Sequence, residues 1–391
     1  MKVKASTGLL AGKEFYLLLW IVALLGFVFL GIIGVYILST RTEGASISWG
    51  LLVPSYVFFA LAATGSSLVN SIFAVFNVKR FKPVIKRGVW LSLMLIIPAV
   101  IFIILDLGKW TQAYNLYFLF NITSRVGWMG WLYIAFVLYL VMELIVIIRE
   151  EYMPRWAPMV TGILVLIATL AVHTNLGALF GGVSAKPLWY NHLLPLQFIV
   201  SAITAGAAFQ VIFMSIISHL KTESVAENLR KLFSSSYRPL LIGLIIINFV
   251  LMAIKYIPGL FSTETAPYVR LLLAGPYSFN FWGLEIVLGG IVPLILLLHN
   301  KTKNSAGWML TASALIVIGV YFSKYDLLIG GQSIGPVFTT DYISYFAHGA
   351  DFLLLVGGIG ASLLLYTLGE LLFPLDQDDR PSWFIFIKRG A

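Results

Sequence analysis

Phe15-Tyr-Leu-Leu-Leu-Trp-Ile-Val-Ala-Leu-Leu-Gly-Phe-Val-Phe-Leu-Gly-Ile-Ile-Gly-Val-Tyr-Ile-Leu38 runs without a single charged residue. A helix that crosses a bilayer needs roughly 20 mostly apolar residues. The run is long enough to span. It is too long for a signal-peptide core and lacks a small-residue cleavage site, so no cleavable signal is expected. Nine more runs follow: 51–76, 89–105, 127–148, 157–176, 193–218, 238–257, 281–299, 306–322 and 347–373. Hydrocarbon offers no partner to a backbone N–H or C=O, so these runs are expected as helices. The apolar–polar alternation of a barrel strand is missing. The sequence therefore predicts an all-α polytopic membrane protein with about ten transmembrane helices, in one integral membrane domain spanning 1–391.

The composition agrees. Of the 391 residues, 60% are hydrophobic and 11% charged. A soluble domain is about a quarter charged, so a water-soluble enzyme and a disordered chain are both excluded. There is no cysteine. The chain thus offers no disulfide, no thiolate nucleophile and no cysteine set for an iron–sulfur cluster. Any such cluster must sit on a partner. The net charge of +9 fits basic cytoplasmic loops better than nucleic-acid binding. Of the 26 basic residues, 19 fall at the termini and even-numbered loops and seven in the odd-numbered loops. That asymmetry predicts a multi-pass protein of the cytoplasmic (inner) membrane with both termini in the cytoplasm, including the tail 374–391.

The polar residues concentrate on the predicted outer side. The outward loops 106–126, 177–192, 258–280 and 323–346 are rich in Trp, Tyr, Gly, Pro and Asn. A partly apolar loop such as 175–189 is expected to be buried against this protein's own helices or a partner. Ionisable residues in spans are functional candidates because their burial is costly. These are Asp106, Glu143, His173, Glu285 and Asp351, all but Glu143 near the outer side. Each has a plain structural alternative. Asp106 could cap a loop or pair with Lys109. Glu143 could reach the inner interface, and His173 could bond a carbonyl. Glu285 and Asp351 could be solvated at the rim. Small and hydroxyl residues gather at Ala62-Ala-Thr-Gly-Ser-Ser67 with Asn70, and at Ser201-Ala-Ile-Thr-Ala-Gly-Ala-Ala208 with Gln210. They suit close helix packing, with a hydroxyl-lined proton path through Thr64 and Asn70 as the alternative. No Walker A loop or dinucleotide fingerprint is present. The five histidines do not place two at opposite depths of any span, which argues against a stacked haem pair. A single outer haem on His173 and His348 is the remaining haem option.

The order of several motifs resembles the NrfD/PsrC family, the integral membrane subunits of quinone-linked oxidoreductase complexes. They are Ile104-Leu-Asp-Leu-Gly-Lys109, Asn121-Ile-Thr-Ser-Arg-Val-Gly-Trp-Met-Gly-Trp131, Lys186-Pro-Leu-Trp189 with Leu194-Pro-Leu196, and Arg270-Leu-Leu-Leu-Ala-Gly-Pro-Tyr277 with Phe281-Trp and Glu285. Tyr56 and Gly65-Ser66 fit the same pattern. The ten-span, cysteine-free form is most similar to the sulfite-reductase-associated (DsrP-like) and hydrogenase-2-type branches. Two stretches depart from the family pattern, Leu51-Leu-Val-Pro-Ser-Tyr56 and Lys324-Tyr-Asp326.

The resemblance implies two four-helix bundles, 51–176 and 193–322, flanked by 15–38 and 347–373. It implies a chain without haem or iron–sulfur cluster of its own that binds menaquinone or ubiquinone near the outer face. It also implies a ferredoxin-like iron–sulfur subunit docked there, alongside further redox subunits in the same lipid bilayer, with proton translocation as an added expectation. His173, followed by Asn175-Leu-Gly177, sits where family members place a polar side chain near the quinone head. Asp106, Trp189 and Tyr56 are the other quinone-side candidates. Glu143, Glu285, Asp351, Thr64 and Asn70 are the candidates for proton movement. The competing expectations are an ion or proton transporter and a purely structural anchor of the complex.

Overall fold

The structure is a computed structural model that describes residues 7–40, 49–76, 81–107, 110–149, 152–218, 223–299, 305–334, 345, 349–373 and 375. The rest of the tail 374–391 and His348 lie outside these residues, as do Lys109 and His219. Among the described residues, ten helices are long and apolar enough to cross a membrane, as the hydropathy pattern predicts. They are α1 (Thr7–Ser39), α2 (Leu52–Val75), α3 (Lys82–Asp106), α4 (Arg125–Ile148), α5 (Ala157–Gly181), α6 (Leu194–Ser218), α7 (Arg238–Phe261), α8 (Phe279–Leu298), α9 (Ala306–Gly330) and α10 (Gly349–Leu372). A short amphipathic helix, Glu223–Leu232, leads into α7, and another short helix, Ala266–Ala274, follows it. Successive spans run in opposite directions. One end of the molecule therefore carries Trp189 and the other Arg87.

Local sequence sets the helix ends. Ser124 caps α4, its hydroxyl accepting the Gly127 N–H at 3.2 Å, which offsets one orphan donor of the first turn. Pro at the first turn opens α3, α5 and α7, where the missing N–H costs nothing. Several edges lie beyond the hydropathy estimate. α3 begins at Lys82, α5 continues to Gly181, α7 to Phe261 and α9 to Gly330. Arg87 and Lys324 are consequently helix residues beyond the expected runs, and Lys255, which falls inside the run 238–257 although the charge count assigns it to a loop, is a helix residue as well.

Packing fixes the arrangement. Helices α2 to α5 pack on one another, and so do α6 to α9. α2 lies at the junction of these sets, against α6 and α9, and is buried from Leu52 to Ser71. The α2–α6 contact is a small-residue crossing. A Cβ on Gly65 would strike the carbonyl oxygen of Ala202, and one on Gly206 would strike the backbone of Gly65 and Ser66. The small residues of both runs thus serve close backbone approach. Gly206→Val is expected to cost more than the ~1–3 kcal/mol of ordinary overpacking, because backbone and not a flexible side chain blocks the space. Size-exclusion chromatography of detergent extracts should show most of the variant lost from the folded peak.

The first and last spans form a pair of their own. α1 packs on α10 with Gly31 against Gly357, and Trp20 donates its indole N–H to Thr367 at 3.1 Å. α10 is joined to α3 by a buried ion pair between Arg87 and Glu370 at 2.8 Å.

Candidate functional site

In the segment leading from α5 to α6, Leu188 and Trp189 are buried against this chain's own helices, while Gly182, Ser184, Ala185, Tyr190 and His192 are exposed. Trp189 is 3% exposed. Its indole N–H donates to the carbonyl of Leu327 near the end of α9 at 2.7 Å. Its ring stacks on Trp49 at 5.5 Å, and Phe180 of α5 meets both indoles edge-on. Trp49 is held by Gln332, whose side-chain amide accepts from its N–H and donates to its carbonyl, each at 3.0 Å. Three separate chain segments thus converge on Trp189 and close this end of the molecule. Trp189→Phe removes the hydrogen bond and keeps most of the ring, and should cost about 0.5–1.5 kcal/mol. Trp189→Ala should cost about 3–5 kcal/mol. Thermal unfolding of the purified complex measures both.

His173 lies in α5, eight residues before Gly181, so roughly 12 Å below that helix end. It is fully buried, and neither ring nitrogen has a hydrogen-bond partner. One turn deeper, Thr169 bonds Ser67 of α2 at 3.1 Å. This registers the face of α5 that carries His173 toward α2. The charge of Lys324 in α9 reaches His173 across the junction between the helix sets.

The other sequence candidates are dispersed. Tyr56 of α2 shares a hydrogen bond of 3.0 Å with Tyr133 of α4. Asp106 is the last residue of α3 and half-exposed. Asp351, in the first turn of α10, accepts from the Tyr345 hydroxyl at 3.3 Å, and that hydroxyl accepts from the Leu51 N–H at 2.8 Å. Burial beside Asp351 pushes the Tyr345 phenol well above its ordinary pKa. Lys186, in the Lys-Pro-Leu-Trp segment, is drawn below the usual lysine range by partial burial.

Toward the Arg87 end, Asn70 accepts from the Gln210 amide at 3.0 Å. Gln210 also bonds Ser66 at 2.9 Å and takes the Tyr237 hydroxyl. The Thr64 hydroxyl bonds Ala60 of its own helix. Glu143 is fully buried on α4, near Gly162 of α5, with both carboxylate oxygens unbonded. Thr64, Asn70, Glu143, Glu285 and Asp351 therefore do not form one chain of contacts.

Sequence reasoning missed the partners of Glu285. Lys255, Glu285 and Lys324 each lie six residues from the Trp189 end of their helices, a layer roughly 9 Å deep. Glu285 is 7% exposed, Lys324 3% and Asp326 fully buried. Lys324 donates to Ser201 at 2.9 Å and lies 4.7 Å from the Phe198 ring centre. Asn280 donates to Asp326 at 3.2 Å. Glu285 lies on a π-helical stretch, Phe279–Ile291, a geometry frequent at functional sites. The available signal was the apolar sequence beyond each lysine, Tyr256 to Phe261 and Leu327 to Gly330, which continues the helix.

Comparison with known proteins agrees with this architecture. The family model described as polysulphide reductase, NrfD, matches residues 39–336. The Hdr-like menaquinol oxidoreductase integral membrane subunit of Archaeoglobus fulgidus is 26% identical, over 84% of this chain and 85% of its own. A selenate reductase subunit of Mesobacillus selenatarsenatis is 25% identical, over 89% and 92%. The menaquinone reductase integral membrane subunit of Nitratidesulfovibrio vulgaris is 20% identical, over 77% and 75%. With its ten apolar helices and a match across most of its length, the chain belongs to the NrfD family of integral membrane subunits.

Proposed function

We propose that this chain exchanges electrons and protons between a membrane quinone and an iron–sulfur subunit docked at the Trp189 end, and that this end faces out of the cytoplasm. One observation carries the reading: His173 is fully buried with both nitrogens unbonded. Over nine-tenths of buried polar groups are hydrogen-bonded. An unpartnered buried imidazole has hydrogen-bonding capacity left for a ligand, and a neutral imidazole offers one donor and one acceptor. The quinone head carries carbonyls that accept a hydrogen bond, and its reduced quinol form carries hydroxyls that donate one.

The quinone supplies the redox chemistry. His173 orients its head and holds or passes a proton at an imidazole nitrogen. Tyr56 and Tyr133 present hydroxyls between α2 and α4 on the same side of the bilayer. Asp106, half-exposed at the end of α3, suits proton release to solvent. Trp189 keeps water from the buried face. Menaquinone is the favoured quinone, because two of the relatives are named for menaquinol or menaquinone. The chain has no cysteine, so the cluster that meets the quinone belongs to the partner. We read α2–α5 and α6–α9 as two bundles, flanked by α1 and α10.

The transporter reading has weaker support. It expects charged groups at the bilayer midplane on broken helices, whereas the layer of Lys255, Glu285 and Lys324 is displaced toward one end. Purifying the tagged chain with its native partners tests the proposal. The expected result is bound menaquinone and iron in stoichiometric amount. A C-terminal fluorescent reporter should be active and a phosphatase reporter inactive. Absence of iron and quinone together, or the reverse reporter result, overturns the reading.

A further inference from the structure

Among the helices α6 to α9 lies a half-open chamber, with several polar side chains in a largely apolar wall, that the quinone reading does not use. Gln197 and Ser201 of α6, Asn248 and Lys255 of α7, Glu285 of α8 and Lys324 of α9 line it. Its volume is about 70 Å³, enough for a few waters, each of which occupies about 30 Å³ in the liquid. It is too small for a quinone ring. A second cavity, of about 220 Å³, lies nearer the Trp189 end among Pro187, Asn191, Pro258 and Ser262. Lys255 and Tyr256 line both cavities, so the lysine stands between the chamber and the outer opening. In the other direction, the backbones of Gly65 and Gly206 touch at the α2–α6 crossing. The polar group beyond it, Gln210 with Ser66, Asn70 and Tyr237, is knit together by its own hydrogen bonds.

The chamber also holds an unmet demand for hydrogen bonds. Glu285 is 7% exposed and lines the cavity, yet its Oε2 has no hydrogen-bond partner. Ser323 bonds the carboxyl group, and the charges of Lys255 and Lys324 act on it from α7 and α9. Asp326 acts on the same cluster from α9. Leaving such a group dry is expensive, and water with several polar neighbours would relieve it.

We propose that this chamber is a hydrated proton-exchange site, entered from the Trp189 end past Lys255 and closed toward the Arg87 end, with Glu285 holding the exchangeable proton. A proton passes between the Glu285 carboxyl group and water, and nothing is oxidised or reduced in that step. Lys324 links the chamber to the first helix set. It bonds Ser201 within the chamber wall, and its charge reaches His173. A change of charge in the chamber therefore alters the field at the proposed quinone site. The inference rests on the outward placement of the Trp189 end, and the test separates the two.

The absence of native cysteine makes single-cysteine variants unambiguous. Ser323→Cys and Asn248→Cys are introduced separately into the full complex, in sealed vesicles of known orientation. Silver ion, which is thiol-specific and small enough to follow water into the chamber, is added to one side at a time. Both positions are expected to label from the outer side about tenfold or more faster than from the inner side. Ser66→Cys, beyond the glycine crossing, should stay unlabelled from the outer side. No labelling of either chamber position, or faster labelling from the inner side, overturns the proposal.

Glu285→Gln is expected to slow proton exchange during turnover about 10²-fold, the low end for a positioned acid. An unchanged rate overturns the role of Glu285. Electron transfer from a soluble quinol analogue is followed on the same preparations. Its absence in the unmodified complex counts against the quinone reading alone, because labelling does not depend on turnover.

Discussion

Replacing His173 with leucine or phenylalanine lowers quinol-linked electron transfer by about 10²-fold or more, the range expected when a positioned acid–base group is lost, while the complex still assembles. The stability half of this expectation gives the test its force. A histidine that served the fold through hydrogen bonds would destabilise the protein on removal. Here both ring nitrogens are unbonded and the side chain is fully buried. Deleting it leaves no protein group stranded and relieves a desolvation penalty of about 1–3 kcal/mol. Leucine preserves most of the volume, so the thermal midpoint of the purified complex should hold or rise. His173→Gln retains a donor and an acceptor but cannot hold a proton near neutral pH. It should keep quinone affinity better than leucine while still slowing turnover. Unchanged turnover in all three variants would refute the site and favour the anchor reading. A collapse of assembly would show that the imidazole supports the fold.

What is legible in the sequence divides along physical lines. Span number and helix type follow from run length, since hydrocarbon demands that each backbone pair internally. All ten runs are helices accordingly. The end of a run is less legible, because hydropathy falls at a lysine whether or not the helix stops there. Lys324 falls beyond its expected run for that reason, and Lys255, inside the run 238–257, is counted with the loop charges, although apolar residues follow each of them. The error hides their partnership with Glu285, which unites residues from three helices that no local pattern connects.

Of the stretch 175–189, expected as a buried loop, 175–181 continues α5 and only Leu188 and Trp189 of the remainder are buried, because the helix runs on past the hydropathy edge. What covers Trp189, namely Trp49 and the end of α9, comes from distant parts of the chain. Small residues at 62–67 and 201–208 signal close packing, and the Gly65–Gly206 approach is its form. The same stretch does not reveal that Thr64 bonds its own helix while Asn70 joins Gln210. Helix phase and a partner on α6 decide that difference.

Arg87→Met is expected to damage the fold severely through loss of its contact with Glu370. The Arg87 guanidinium meets Glu370 at 2.8 Å, and the two side chains are each 2% exposed. The Tyr366 hydroxyl donates to the same carboxylate at 3.1 Å. Removing the cation leaves the tyrosine facing a buried carboxylate that its hydroxyl cannot neutralise. Breaking a buried pair from one side costs about 3–5 kcal/mol. The pair joins α3 to α10, and α10 carries α1. The loss should therefore appear as loosening of both flanking helices. Proteolysis should cut at their ends, and the thermal midpoint in detergent should fall. Added salt should not reproduce the effect, because screening acts weakly on a pair shielded from solvent.

The double variant Arg87→Met with Glu370→Met removes both charges and fills the space with apolar side chains. It should recover most of the lost stability, since a buried pair weighed against a well-packed hydrophobic replacement is often neutral or worse. Neither residue lies near His173 or the Glu285 chamber. Electron transfer per folded complex should therefore be unchanged in the double variant. A double variant as unstable as the single one would mean that the geometry of the pair, and not its charge balance, holds α10 against α3.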